Sequence, residues 1–323
     1  EIMLQQTTVA TVVPRFERFL RRFPTVRSLA SASIDEVLHA WQGLGYYRRA
    51  RGLHACARRL CDDHASVVPA DETVLRTLPG IGAYTAAAVA AIAFDRPTVP
   101  VDGNVARVLA RLAGVEAPLE RSARVLCALA GALARADAEP MTPRHGDKAQ
   151  ALMELGALCC IPRKPTCGVC PWRGCCVAHA GGTQDVLPRR MPRKTRPLRH
   201  MVAFLLQRDD GALLFRRRPD EGLLAGLVEL PSTPWCAQPP GPDEVALHAP
   251  AACRWAALEG AVSHRFTHLE LHAVVHRGVP DASATAGMSD DGFWQRMEDL
   301  GALALPTLTR KLLRHAGIAD HQF

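Results

Sequence analysis

Residues 78–104 constrain the fold of this chain more than any other segment. They read LPGIGAYTAAAVAAIAF, then a short connection, then VDGN. Pro79 and Gly80 are expected to end one short helix, and an alanine-rich stretch of high helix propensity follows from Ala83 to Phe94. The pattern predicts two helices joined by a tight hairpin.

Two glycines of this hairpin, Gly80 and Gly82, allow backbone angles that other residues resist. The hairpin can therefore present N–H groups at the start of the second helix, where the helix dipole favours an anion such as phosphate. The alternative is an ordinary helical corner closed by glycine. Asp102 also has an ordinary interpretation as a helix N-cap before VARVLARLAG. Neither motif identifies a function alone.

Four cysteines lie in one compact loop with intervening gaps of six, two and five residues: Cys160, Cys167, Cys170 and Cys176. Four thiolates so placed can enclose one metal centre. Structural zinc is the alternative occupant. Zinc sites usually use two separated C-x2-C pairs, so the single loop favours a [4Fe–4S] cluster. Cys159 and Cys175 are expected to be bystander thiols.

The 323 residues are enough for two domains. Lys and Arg number 39 against 32 Asp and Glu, and the pI is about 9.0, which suits a polyanionic partner. No apolar run reaches the roughly 18 residues of a membrane span, and the eleven clustered cysteines do not resemble a secreted disulfide framework. We expect a cytoplasmic monomer, nucleoid-associated if bacterial, with no membrane contact.

The helical pattern continues from residue 1 to about 180, so the first domain is predicted to be all-α. In it, Pro14 is expected to open a helix, and Ser33 and Glu36 form a capping box. A basic, proline-rich linker is predicted at 181–198, because 188–200 carries six Lys or Arg, three Pro and no acid. From 199 to 323, strand patterns such as MVAFLLQ and LELHAVVHR and a final helix after Pro306 predict a domain of α/β or α+β type.

The chain begins at Glu1 rather than Met, within EIMLQQTTVATVV, which has the pattern of an amphipathic helix. We therefore expect the natural N-terminus to lie upstream of this residue.

Taken together, EIMLQQT, GLGYYRRAR, LPGIGAYTA, VDGNVARVL and the cysteine loop resemble the helix-hairpin-helix DNA glycosylases, specifically the MutY-type adenine DNA glycosylases. The resemblance covers nearly the whole chain. It implies base-excision repair of double-stranded DNA. It further implies that adenine opposite 8-oxoguanine or guanine is removed by hydrolysis of its N-glycosidic bond, which leaves an abasic site.

The same resemblance implies four residues at the reacting centre. Glu1 would be the acid that protonates adenine, and Asp102 the carboxylate that stabilises the cationic sugar, assisted by Asn104. Tyr84 stands two residues after the second hairpin glycine, where strand-cutting relatives carry a lysine that forms a Schiff base. Tyrosine has no amine, so a monofunctional enzyme is expected.

Contacts to DNA also follow from the resemblance. Gly80 and Gly82 would hold a phosphate, and Leu4 would line the adenine pocket. Gln6 and Tyr46 resemble the wedge residues that enter the base stack while adenine is flipped out. Without the family, Gln6 would be interpreted as a polar helix residue and Tyr46 as a core tyrosine.

The second domain resembles a Nudix fold, with RRRPDEGLLAGLVELP as its opening. No E-x-x-E-E helix follows, so pyrophosphate hydrolysis is not expected. Phe266, Thr267 and His268 match the family's Phe-Ser-His loop, which reads 8-oxoguanine. Thr267 replaces the serine, keeping the hydroxyl and adding a methyl group.

Two other functions compete with this interpretation. One is a bifunctional pyrimidine-lesion glycosylase of the endonuclease III type, which Tyr84 and the second domain oppose. The other is a non-catalytic iron–sulfur DNA-binding protein, which a chain truly starting at Glu1 would favour.

Overall fold

The computed structural model describes residues 1–136, 144–192, 195–279 and 292–319. It divides into two compact units. The helical unit comprises residues 1–5 and 52–193, and the mixed unit comprises residues 6–51 and 194–323. This division places residues 6–51 with the C-terminal part of the chain, whereas the sequence placed them in the first domain. The sequence-based domain boundaries stay a prediction.

The α-helices in the described residues are α1 Val9–Arg22, α2 Val26–Ser31, α3 Ile34–Ala40, α4 Arg48–Asp63, α5 Glu72–Leu75, α6 Ala83–Phe94, α7 Gly103–Leu112, α8 Ala123–Arg135, α9 His145–Glu154, α10 Val177–Ala180, α11 Pro242–His248 and α12 Thr307–His315. The strands are β1 Leu198–Leu206, β2 Leu213–Arg217, β3 Val228–Glu229, β4 Arg254–Ala257, β5 Val262–Arg265, β6 Glu270–Val279 and β7 Gly292–Gln295. None of the helices in this described part has the length and apolar character that a bilayer crossing requires.

Helix α6 is the buried centre of the helical unit. It is apolar on all sides, and most of its residues from Thr85 to Ala91 are buried. Helix α9 packs closely on α6 at Gly146. A Cβ there would come within 2.8 Å of the Ala91 carbonyl oxygen. A neighbouring cluster joins aliphatic side chains of α7 and α8, among them Val108 and Leu126. This packing fixes the N-termini of α6 and α7.

Two sheets form the centre of the mixed unit. In one, β6 lies between β1, which is parallel to it, and the antiparallel strands β4 and β5. In the other, β2 lies between the antiparallel strands β3 and β7. Leu205, Phe215, Leu271 and Leu312 belong to the core that α12 and the sheets share. The helical first part and the mixed second part confirm the predicted fold class.

Two predictions for the N-terminal segment are wrong. Pro14 lies inside α1, because it removes only one helical hydrogen bond while Val12 and Phe19, on either side of it, are both buried. The amphipathic helix expected from residue 1 is broken at Gln6, whose φ of 56° is left-handed. The capping box of Ser33 and Glu36 is confirmed.

The predicted linker is partly packed rather than fully extended. The amide of Leu119 donates to the carbonyl of Arg189 at 3.0 Å, and the amide of Met191 donates to the Glu120 carboxylate at 3.0 Å. Residues 193 and 194 of this linker lie outside the described residues.

Candidate functional site

Two carboxylates and a phenol converge in the helical unit. Asp102 is the N-cap of α7, and Tyr84 lies in the first turn of α6. The Tyr84 hydroxyl is hydrogen-bonded to the Glu1 side chain. Burial, and then the nearby carboxylates of Glu1 and Asp102, raise the pKa of the Tyr84 phenol. The phenol therefore keeps its proton and donates a hydrogen bond to the Glu1 side chain.

The segment that carries Glu1 is attached to α6. A 3₁₀ turn follows at Ile2–Leu4, in which Met3 is buried and Leu4 is 41% exposed. The side-chain amide of Gln5 donates to the Thr85 hydroxyl at 2.6 Å. These contacts place the predicted acid beside the N-terminus of α6.

The carboxylate of Asp102 is held by several donors. Its Oδ1 accepts from the amides of Asn104 at 2.9 Å and Val105 at 2.7 Å, so the ordinary N-cap interpretation of Asp102 is correct. Its Oδ2 accepts from Asn104 Nδ2 at 3.1 Å. Asn104 thus orients the carboxylate that the family resemblance assigns to catalysis.

A second layer of contacts holds Asn104 itself. Arg107 Nη2 donates to Asn104 Oδ1 at 3.0 Å and to the Gly156 carbonyl at 2.6 Å. A Cβ at Gly156 would come within 2.8 Å of the Asn104 Cβ, so only glycine fits there. Arg107 Nε also donates to the Cys160 carbonyl at 2.7 Å, which connects Asp102 to the cysteine loop.

The two hairpin glycines differ in whether their backbone position requires a glycine. Gly80 has φ +76°, and a Cβ there would lie 2.9 Å from the Cα of Gly52. Gly82 has φ −86° and open space around its Cα, so it does not use the backbone freedom that glycine allows. As the N-cap of α6, Gly82 leaves the first amides without a side-chain cap, which suits an anion.

The cysteine loop surrounds a small cavity of about 30 Å³. The four predicted ligands and Cys159 line it, together with Arg111 and His179. No three His, Cys, Asp or Glu side chains in the described ranges are spaced to hold a single metal ion. Four thiolates around one cavity have the donor chemistry that a [4Fe–4S] cluster requires.

Arg111 ties this loop to α7. It is only 2% exposed and donates to the carbonyls of Cys160, Ile161, Pro162 and Leu187 at 2.8–3.2 Å. Its Nη1 also lies 3.2 Å from the Cys160 Sγ. One guanidinium therefore organises the backbone at the first predicted ligand.

The two predicted wedge residues share an unusual backbone conformation in the mixed unit. Gln6 has φ 56° and Tyr46 has φ 46°, both in the left-handed region that non-glycine residues rarely adopt. Such strain concentrates at functional sites and needs support from neighbours. Tyr46 is 49% exposed, so it is not the core tyrosine that its sequence alone suggested.

Arg49 supplies that support to both segments. Its Nη2 donates to the Thr7 hydroxyl at 3.2 Å and to the carbonyls of Leu44 and Gly45 at 2.9 and 3.2 Å. Its guanidinium carbon lies 5.6 Å from the ring centroid of Tyr46. The same side chain thus fixes the turn beside Gln6 and the loop that carries Tyr46.

We expect Arg49→Met to weaken binding to a mismatch duplex about tenfold, because both wedge segments lose their common anchor. A 2-aminopurine base next to the adenine should also unstack less, which fluorescence measures. Arg48→Met is the matched control, since Arg48 is the adjacent exposed arginine. Equal losses in the two variants would contradict this role.

The predicted lesion-reading residues form the turn of a β-hairpin. Phe266, Thr267 and His268 connect β5 to β6, and the Phe266 amide donates to the Leu269 carbonyl at 2.9 Å. Thr267 and His268 are exposed at the tip. The hydroxyls of Thr267 and Tyr46 lie 3.1 Å apart, so two residues predicted from distant motifs are in contact.

Known protein families match both the helical part and the mixed part of the chain. The family described as HhH-GPD superfamily base excision DNA repair protein matches residues 1–128, and the NUDIX domain matches residues 202–315. The adenine DNA glycosylase of Rattus norvegicus is 33% identical to this chain over an alignment that covers 97% of this chain and 70% of the rat protein. The chain belongs to the adenine DNA glycosylase family. It is thus a DNA N-glycosylase of base excision repair and binds DNA.

Other adenine DNA glycosylases show similar agreement. The Homo sapiens protein is 33% identical over 97% of this chain, which spans 66% of the human protein. The protein of Mycobacterium tuberculosis strain H37Rv is 43% identical over 59% of this chain and 62% of its own length.

The arginines that support the candidate site were not predicted from the sequence. Arg107 and Arg111 follow Asn104 by three and seven residues, so all three lie on one face of α7. Two arginines on the face that begins with a predicted catalytic residue were a signal available in the sequence. Arg49 and Gly52 gave no such signal, because their partners are set by packing.

Proposed function

We propose that this protein removes adenine mispaired with 8-oxoguanine or guanine, by hydrolysis of the N-glycosidic bond, and leaves an abasic site with an intact strand. The observation that carries the proposal is the convergence of Glu1, Tyr84 and Asp102 in the helical unit. An acid and a carboxylate are the two groups that departure of a base from a sugar requires.

Glu1 acts as the general acid in this proposal. Adenine is a poor leaving group until a ring nitrogen is protonated, so Glu1 gives its proton to the base as the bond from C1′ to the base breaks. The Glu1 carboxylate then takes a proton from the water that adds to C1′, which regenerates the acid. The Tyr84 hydroxyl, hydrogen-bonded to Glu1, orients this side chain.

Asp102 stabilises the positive charge that develops on the sugar. Its Oδ1 is engaged by the two amides at the start of α7, and its Oδ2 is engaged by Asn104. A carboxylate that is already oriented needs little reorganisation when the cation forms. Asn104 and Arg107 are positioning residues for this carboxylate.

Recognition of the opposite base is assigned to the hairpin of the mixed unit. Thr267 and His268 are exposed at its tip, and Tyr46 contacts the Thr267 hydroxyl. A hydroxyl can donate or accept, so it can distinguish the N–H of 8-oxoguanine from the bare nitrogen of guanine. Gln6 and Tyr46 act as wedges that offset part of the cost of flipping.

A [4Fe–4S] cluster is proposed for the cysteine loop. The family is generally iron–sulfur-binding, and the four ligands Cys160, Cys167, Cys170 and Cys176 line one cavity. A bound cluster would tie the loop together through four thiolates. We also propose that the protein acts as a cytoplasmic monomer.

A duplex cleavage assay tests the proposed function. We expect adenine opposite 8-oxoguanine to be excised, so that alkali cuts the adenine strand, whereas a duplex with adenine opposite thymine stays intact. Without alkali neither duplex is cut, and borohydride traps no covalent adduct, because Tyr84 cannot form a Schiff base.

Each competing function gives a different result in the same assay. Strand cutting without alkali, or a borohydride adduct, would favour the bifunctional endonuclease III type. Tight binding without excision would favour the non-catalytic DNA-binding protein.

A further inference from the structure

Phe266, the first residue of the lesion-reading turn, is the end of a stack of side chains in the mixed unit. Its ring stacks on the Trp235 indole, with centroids 5.4 Å apart and an interplanar angle of 29°. The His264 ring also meets the Phe266 ring edge-on, with centroids 4.5 Å apart. Phe266 is therefore fixed by aromatic contacts, and Thr267 follows it directly in the chain.

Trp235 is itself held by a cation. The guanidinium carbon of Arg218 lies 5.1 Å from the indole centroid. The indole Nε1 is buried and has no hydrogen-bond partner among the residues that the structure describes. Trp235 is thus oriented by Arg218, by Phe266, by the hydrophobic core on which it packs and by its own backbone. That backbone is firm, because the next residue, Cys236, exchanges two hydrogen bonds with His200 of β1.

Arg218 is held in turn by a buried carboxylate. Its Nη1 donates to Glu229 Oε2 at 2.7 Å, and its Nε donates to the Leu223 carbonyl at 3.0 Å. Glu229 is 5% exposed, and its other oxygen accepts from Arg216 Nε at 3.0 Å. A guanidinium fixed at both ends presents a rigid face to the indole.

We propose that Arg218 and Trp235 are positioning residues that set how strongly the protein discriminates 8-oxoguanine from guanine opposite adenine. They act through Phe266, which holds the turn where Thr267 and His268 meet the base. The inference rests on the proposed function, since it assumes that this turn reads the opposite base.

Discrimination between the two purines depends on the geometry of the Thr267 hydroxyl rather than on additional contacts. A single hydroxyl distinguishes two purines only when it is held within a few tenths of an ångström and a narrow range of angles. The Thr267 hydroxyl contacts Tyr46, and the Thr267 carbonyl accepts from Arg196 Nε at 3.1 Å, but both partners are exposed. The stack through Phe266 is the more buried support and should fix the turn.

The test compares dissociation constants for two duplexes whose adenosine carries a 2′-fluoro sugar that resists cleavage, placed opposite 8-oxoguanine or guanine. Discrimination is the dissociation constant for the guanine duplex divided by that for the 8-oxoguanine duplex. We expect Trp235→Leu and Arg218→Met each to lower this ratio about tenfold. Trp235→Phe keeps a stacking ring and should keep the ratio within about twofold. Single-turnover excision of adenine opposite guanine at saturating enzyme should stay unchanged in all three variants.

A matched control exists in the same unit. Arg208 lies 5.1 Å from the ring centroid of Trp294, so Arg208→Met removes a contact of the same kind and distance elsewhere. Its ratio should equal that of the unchanged protein. Thermal unfolding of every variant identifies any that do not fold, and the Phe and Met variants suffice if Trp235→Leu is one of them.

Three outcomes would overturn the proposal. A ratio unchanged by Arg218→Met and Trp235→Leu shows that the stack does not set discrimination. An equal fall in Arg208→Met shows a general effect of losing any such contact. If the unchanged protein itself does not discriminate, the lesion-reading part of the proposed function fails too, which separates this case from the first two.

Discussion

Replacing Asp102 by Asn is expected to lower the single-turnover rate of adenine excision by on the order of 10³-fold, with little change in DNA binding. The change removes the negative charge that faces the developing cation. It leaves the shape of the side chain and its role as a helix cap, because Asn and Asp are similarly good N-caps. The loss should therefore appear in the chemical step, and the thermal unfolding temperature should stay nearly constant.

The control for this variant is Asp71→Asn. Asp71 caps α5 in the same way, with its side chain accepting from the amides of Thr73 and Val74. Unlike Asp102, it is exposed and is not among the carboxylates that interact with Tyr84. Full activity in Asp71→Asn beside the large loss in Asp102→Asn would attribute the loss to charge at the reacting centre. An Asp102→Asn enzyme that keeps its rate within tenfold would contradict the proposed mechanism.

Replacing Arg111 by Met is expected to destabilise the helical unit by about 4 kcal/mol and to empty the cysteine loop of iron. Four carbonyls, those of Cys160, Ile161, Pro162 and Leu187, lose a buried donor, and methionine can replace none of these bonds. The backbone on either side of the first predicted ligand is then no longer held.

Two measurements on the purified protein test this second prediction. Iron and acid-labile sulfide are assayed for each variant, and urea unfolding gives the difference in free energy. Arg124→Met is the control, because Arg124 is an exposed arginine on α8 of the same unit. If the unchanged protein holds no iron, the cluster proposal fails while the unfolding comparison still tests the structural role. A stability equal to that of the control would refute that role.

The residues that could be predicted are those whose chemistry is local in the chain. The spacing of the four cysteines, the left-handed turn at Gly80 and the N-cap position of Asp102 each follow from a few neighbouring residues. Arg111 and Arg49 are different. Arg111 reaches carbonyls 49 to 76 residues further along the chain, and no local pattern records such a partner.

Propensity misled the prediction only where packing or backbone strain opposes it. Pro14 would end a helix in isolation, but the buried positions on both sides keep α1 continuous. The left-handed turn at Gln6, itself a predicted wedge residue, does the reverse and breaks a helical pattern. The turn at Gln6 lies at a residue assigned to DNA contact, where backbone strain is expected.

By itself, the sequence determined the chemistry that is available. Tyr84 has no amine, so a Schiff base at that position is excluded whatever the fold. Four clustered cysteines and a glycine hairpin are equally independent of long-range contacts. Which distant groups meet was set by the packing of the chain: the Tyr84 hydroxyl with Glu1, Arg218 with Trp235, and Trp235 with Phe266. Most of these partners lie far apart in sequence, and burial of apolar surface, rather than any pairwise signal, brings them together.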